Sequence, residues 1–183
     1  MKTGFSSWQS VVIGSLTLVL ASAAPGFTQT PSTPRPAPAV PTQITLAEAR
    51  VIIDGAIAYA SEANLRASVV ILDEATNVVS SARMDGVGVS NIHFAEGKAF
   101  ASAVLRQTTQ ALANLGKTRP DRYSGIMNMY PGKVYLVGGG EPLILDGQFF
   151  GAVGVAGLPE GVDEKAGRAG IEAWTKFRAA MKK

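Results

Sequence analysis

The stretch Pro142-Leu-Ile-Leu-Asp-Gly-Gln-Phe-Phe-Gly-Ala-Val-Gly-Val-Ala-Gly157 decides the fold. It reads as two apolar strands joined by Asp146-Gly147, a dipeptide that takes up the positive φ angles of a tight hairpin turn at little cost. Gly151, Gly154 and Gly157 then recur at intervals of three along the second strand. Glycine weakens a strand unless another group approaches its backbone closely. A packed sheet with a bare, close-approach surface is therefore expected near the C-terminal end.

Upstream, 67–72 is a short β-branched run, 73–77 a turn and 78–84 its partner strand, which makes a first hairpin. Thr45-Leu-Ala-Glu48 is a capping-box pattern, and apolar residues at helical spacing after it predict a helix over 46–63. Residues 85–91 break the pattern, and 92–115 read as one helix stopped by Gly116. A polar connector over 117–124 leads through Met127 and Met129 to a candidate strand at 133–137. After the second hairpin comes a loop, 158–161, and then a last helix, capped by Asp163 and running to about Met181. Two hairpins separated by helices, without βαβ crossovers, predict an α+β fold with helices packed on an antiparallel sheet.

The ends set the context. Residues 1–23 combine Lys2, an apolar run over 11–20 and Ala21-Ser-Ala23, the three parts of a secretory signal peptide. The run is too short to span a bilayer, so no stable membrane insertion is expected after cleavage, and a periplasmic or secreted location is. Residues 24–43 form a Pro-rich linker that favours extended, solvated chain. Residues 44–183 are the right length for one domain. Loss of Lys2 lowers the formal net charge from +3 to +2 and leaves no basic cluster, so nucleic acid is not an expected partner. The absence of cysteine excludes disulfides, thiolate ligands and a cysteine nucleophile.

Chemistry-bearing residues are few. His93 is the single histidine, with Glu96 and Gly97 three and four residues on, on neighbouring helical faces. A glycine inside a helix costs about 1 kcal/mol relative to alanine. At position 97 it would leave a shallow notch beside the imidazole for a flat ligand; close packing against another element is the alternative. Arg83, Lys98 and Arg106 are candidate partners for carboxylates. Gly138-Gly-Gly140 lacks the Gly-Lys-Ser/Thr ending of a phosphate-binding loop. With one histidine and no Gly-x-Ser-x-Gly there is no Ser-His-Asp arrangement, and His93-x-x-Glu96 is too sparse for a zinc or di-iron site. No catalytic residue is assigned.

Thr45-Leu-Ala-Glu-Ala49, Arg83-Met-Asp-Gly86, Ala95-x-x-Lys98-Ala99, Gly140-Glu-Pro-Leu-Ile-Leu-Asp-Gly147, Gly151-Ala-Val-Gly-Val-Ala-Gly157 and Asp163-Glu164 occur in this order. Together they resemble the GlcG/HbpS family of small haem-binding proteins, which is related to the C-terminal domain of PduO-type corrinoid adenosyltransferases. The likeness covers nearly all of 44–180 and lies in order and spacing more than in any single motif. It implies a five-stranded antiparallel sheet flanked by helices, profilin-like in architecture, assembled into homo-oligomers and binding haem. The chain departs from the family pattern around 90–96, where Asn91-Ile-His93-Phe94 stands in place of small and acidic residues. His93 is thus a candidate particular to this chain.

Three readings follow. In the first, an exported domain binds haem or a related planar tetrapyrrole for uptake, storage or sensing. His93 is then the axial metal ligand beside Gly97, with Lys98, Arg83 or Arg106 at the propionates and Tyr130, Met127 and Met129 as alternative iron ligands. In the second, an enzyme acts on a small organic acid held by Lys98, with His93 as acid/base. In the third, the glycine-rich surface is the interface of a non-catalytic oligomeric module.

Overall fold

The computed structural model describes residues 43–182. The expected signal peptide and all but the last residue of the Pro-rich linker lie outside them. Helix α1 (Leu46–Glu62) is followed by strands β1 (Ser68–Leu72) and β2 (Val78–Arg83). Helices α2 (Asn91–Leu105), α3 (Thr109–Thr118) and α4 (Pro120–Met129) come next, then β3 (Gly140–Leu145), β4 (Gln148–Ala156) and α5 (Val162–Met181).

Both expected hairpins form and combine into one antiparallel sheet of order β2-β1-β4-β3. Asp146 and Gly147 have φ of 51° and 78°, the turn geometry their side chains permit. Beyond the turn, Leu143 pairs with Gly151 and Ile144 with Phe149, so β4 carries a bulge, and Gly151 there has φ 133°.

Alternation along the strands divides the core. Val69 and Ile71 of β1, with Val153 and Val155 of β4, face α1 and α5 around the fully buried Trp174. Val70, Leu72 and Ala156 face α2 through Ala95 and Ala99. The inner strand β1 is buried on both faces, which accounts for its uninterrupted apolar run. Gly154 explains the tight seat of α2: a methyl group there would collide with the carbonyl oxygen of Ala95 and stand 2.6 Å from the nitrogen of Ala99. Of the three spaced glycines only Gly154 beds this helix. Gly151 lies against the backbone of Leu72 and Asp73, and Gly157 near the Arg66 carbonyl and Val87, so the expected single close-approach surface is divided.

Several expectations are corrected. The sheet has four strands among the described residues, not five. Residues 133–137 are not a strand, because they run as turn and irregular chain against α2, where Tyr135 N–H donates to the carbonyl of Gly97 at 3.1 Å. The single helix expected over 92–115 is two. Arg106 turns left-handed at φ 52°, and the Thr108 hydroxyl accepts from Ala111 N–H to start α3 afresh. The polar connector is largely α4, started by Pro120 at the first helical position. Asp163 does not cap α5. Gly161 occupies that place, and Asp163 lies in the first turn.

The capping box at Thr45 is present, and its acidic member reaches further than expected. Glu48 is 1% exposed; its Oε2 accepts from Thr45 N–H at 2.9 Å, while Oε1 accepts from Trp174 Nε1 at 3.1 Å and from Arg178 Nε. One carboxylate thus starts α1 and ties it to α5. Burial pushes the Glu48 carboxyl up, but the hydrogen bonds from Arg178, Thr45 and Trp174 outweigh that and hold it below its ordinary value.

Candidate functional site

Helix α2 presents two stripes at helical spacing, and each lines a different groove. His93, Glu96, Gly97 and Phe100 border a cavity of ≈ 330 Å³ completed by Leu72, Thr76, Gly132 and Lys133. Asn91, Phe94 and Lys98 border a larger one of ≈ 710 Å³, closed by α3, the 135–138 segment, the 156–161 loop and the first turn of α5.

In the smaller groove His93 is exposed, and no hydrogen bond among the described residues holds its ring. Phe100 supplies an apolar wall. Lys133 reaches in from the segment after α4, its Nζ 5.8 Å from the Phe100 ring centroid. Gly97 lines this groove too, but its missing side chain serves packing. A Cβ there would stand 2.9 Å from Tyr135 Cβ, so glycine is what lets the 133–137 segment lie against the helix.

Lys98 belongs to the other groove. It lies five residues after His93, and at about 100° per residue that separates the two by about 140° around the helix. Its side chain is 3% exposed; Nζ donates to Asp163 Oδ2 at 2.6 Å and to the Val155 carbonyl at 2.9 Å. Lys98 thus does not share a groove with His93, and its ammonium is already engaged rather than free as an anion anchor. Arg83 and Arg106 line neither groove. Arg83 donates to the carbonyl of Val87 at 2.6 Å, and Arg106 lies over the Phe149 ring at 4.8 Å. Of the alternative iron ligands, Met127 and Met129 are exposed, and Tyr130 meets Phe100 edge-on.

The larger groove is built from groups that sequence reasoning did not join. Asp163 is tied on one side to Lys98 and on the other accepts from Leu158 N–H at 3.0 Å. Burial raises its pKa, Lys98 pulls it back, and the charge of Glu164 adds to the rise. Glu141 of β3, outside the groove's lining, is raised by burial, offset by Arg168 at 3.4 Å and pushed further by Glu164. Phe94 and Tyr135 stack at 4.7 Å between centroids. An acidic pair opening a helix reads in sequence as a complement to the helix dipole, so no local signal marks Asp163 and Glu164 as lining a cavity. Lys133 had no signal either, since only the folding-back of the 133–137 segment brings it to His93.

A four-stranded antiparallel sheet with α1 and α5 on one face, α2 on the other and two grooves flanking α2 defines a small α+β domain with ligand-sized clefts. The chain belongs to the HbpS-like family, described as haem degrading protein HbpS-like, which matches residues 44–172. A relative from Citrobacter freundii, an uncharacterized 15.0 kDa protein in the dhaT-dhaS intergenic region, is 32% identical over 114 residues, 62% of this chain and 80% of that protein. The crystal structure of HbpS is similar at TM-score 0.64 and 30% identity, over 82% of this chain and 97% of that one. A PduOC:haem complex shares the fold at TM-score 0.66 and 22% identity, over 72% of this chain and 94% of that one.

Proposed function

We propose that the domain binds haem or a related planar tetrapyrrole, with His93 as the axial ligand, in an exported protein that handles haem for uptake, storage or sensing. The observation that carries the reading is His93 itself: a solvent-facing imidazole without a hydrogen-bonded partner among the described residues, at the mouth of a groove with Phe100 on one wall and Lys133 beside it. Imidazole nitrogen is a good iron ligand, an aromatic wall suits a macrocycle, and an ammonium suits a propionate. Membership of a family described by haem chemistry, and a haem complex with the same fold, support the same class of ligand.

At ≈ 330 Å³ the groove is at the small end of ligand pockets, which run about 300–1,000 Å³. A macrocycle would therefore lie across it rather than within it. We propose the homo-oligomer on the small-residue surfaces and the family resemblance. Titration with haem, followed by visible absorbance, tests the proposal. A Soret shift in the wild type, lost in His93→Ala and weakened in Lys133→Ala, is expected. An unchanged band and affinity in His93→Ala, with the fold intact by circular dichroism, overturns it and moves the search to Tyr130, Met127 and Met129.

A further inference from the structure

The larger groove contains a buried carboxylate oxygen without a partner. Glu164, in the first turn of α5, is 6% exposed, and its Oε2 has no hydrogen bond among the described residues. Glu164 lines the cavity, and its carboxylate sits against Gly138 so closely that a methyl group there would overlap Oε1. A buried carboxylate lacking donors is costly unless something supplies them. None of the donors that line the cavity bonds to this oxygen. Lys98 is held by Asp163 and the Val155 carbonyl, and the nearest side-chain neighbour across Gly138 is Gln110.

The charge balance sets the ligand class. Glu160, Asp163 and Glu164 face Lys98 and Lys117 around the cavity, and the Lys98–Asp163 pair cancels internally. What remains is two carboxylates against one lysine. A helix N-terminus ordinarily favours an anion, but here its first turn already carries the unpartnered Glu164 carboxylate, which an incoming anion would meet. A cation that brings N–H donors answers the unpaired oxygen and the surplus negative charge together. The stacked rings of Phe94 and Tyr135 border the same cavity and give a flat apolar body a wall.

The geometry points to a second ligand site at the first turn of α5, independent of His93, for a small organic cation such as an amidinium, guanidinium or protonated amine on a compact or flat body, whose N–H groups donate to Glu164.

Benzamidine, with agmatine as a flexible guanidinium and benzoate as the anionic counterpart, tests this on the full-length protein by amide chemical-shift titration and calorimetry. Saturable benzamidine binding is expected, with the largest shifts at Gly138, Glu164 and neighbouring residues and none centred on Thr76 or Glu96. Glu164→Gln, nearly isosteric, is expected to weaken it about tenfold or more, the scale of one charge-assisted hydrogen bond, whereas His93→Ala leaves it unchanged. Benzoate binding equal to benzamidine, shifts centred on the His93 groove, an unaltered affinity in Glu164→Gln, or no saturable binding of either cation would overturn the proposal. In the last case a buried water answers Glu164 instead. Because the shift map is read on the wild type, a folding defect in the variant leaves the inference open to refutation, and the haem reading stands or falls separately.

Discussion

Lys98 Nζ lies 2.6 Å from Asp163 Oδ2, and this pair joins two helices on opposite faces of the sheet. Lys98 starts from α2, passes the end of β4, where it also donates to the Val155 carbonyl, and meets the first turn of α5. Removing one member leaves the other buried and uncompensated, a loss of about 3–5 kcal/mol, while replacing both with apolar residues of similar size is close to neutral. Lys98→Met and Asp163→Leu are each expected to lower the urea midpoint strongly, and Lys98→Met/Asp163→Leu to recover most of it. Additive losses in the double variant would show that the pair is not coupled.

Gly154 holds the distance between β4 and α2. In Gly154→Ala the new methyl meets the backbone of Ala95 and Ala99, which cannot rotate away as a side chain would. Overpacking costs typically about 1–3 kcal/mol, and a backbone collision is expected at the upper end. Chemical denaturation measures the loss. A Gly154→Ala variant as stable as the wild type would mean that α2 sits farther from the sheet.

Glu48 predicts a signed pH dependence. Its carboxyl is lowered in the folded state, since the hydrogen bonds from Arg178, Thr45 and Trp174 outweigh burial. A lowered folded pKa means that the stabilisation is fully present above the unfolded value, about 4.3, and is lost as pH falls through the folded value. The stability difference between wild type and Glu48→Gln is therefore expected to be largest near neutrality and to shrink below about pH 4. A difference that is flat from pH 7 to 3 would contradict this.

His93→Ala is expected to leave folding stability within about 0.5 kcal/mol, because an exposed side chain without a hydrogen bond contributes little to it. Thermal unfolding of the two proteins without ligand checks this, and it separates the histidine's proposed role in haem binding from any role in the fold. A large drop in the melting midpoint would mean that the imidazole is a structural element.

Export and assembly have their own tests. N-terminal sequencing of the mature protein from the envelope fraction is expected to begin at or near Ala24, and an intact Met1 on a cytoplasmic product would refute export. Light scattering on residues 44–183 is expected to give an assembly, and a clean monomer at micromolar concentration would remove that prediction.

The sequence by itself determined what rests on short-range physics. The Asp146-Gly147 hairpin, the Thr45–Glu48 capping box, the apolar run of β1 and the α+β class follow from local backbone preference and periodicity, and all are present in the fold. The resemblance carried in order and spacing placed the chain in its family, which matches 44–172. The sequence also singled out His93, but it put Lys98 beside it, because adjacency along a chain hides the turn of the helix between them. Only the tertiary structure decided which groups share a groove. Lys133 comes to His93 across 40 positions because the 133–137 segment pairs with Gly97 on α2 instead of joining the sheet. Asp163 comes to Lys98 across 65 positions because the Lys98 side chain reaches from α2 past the end of β4 to the first turn of α5. Contacts of that kind depend on where whole elements dock, and no local preference along the chain encodes them.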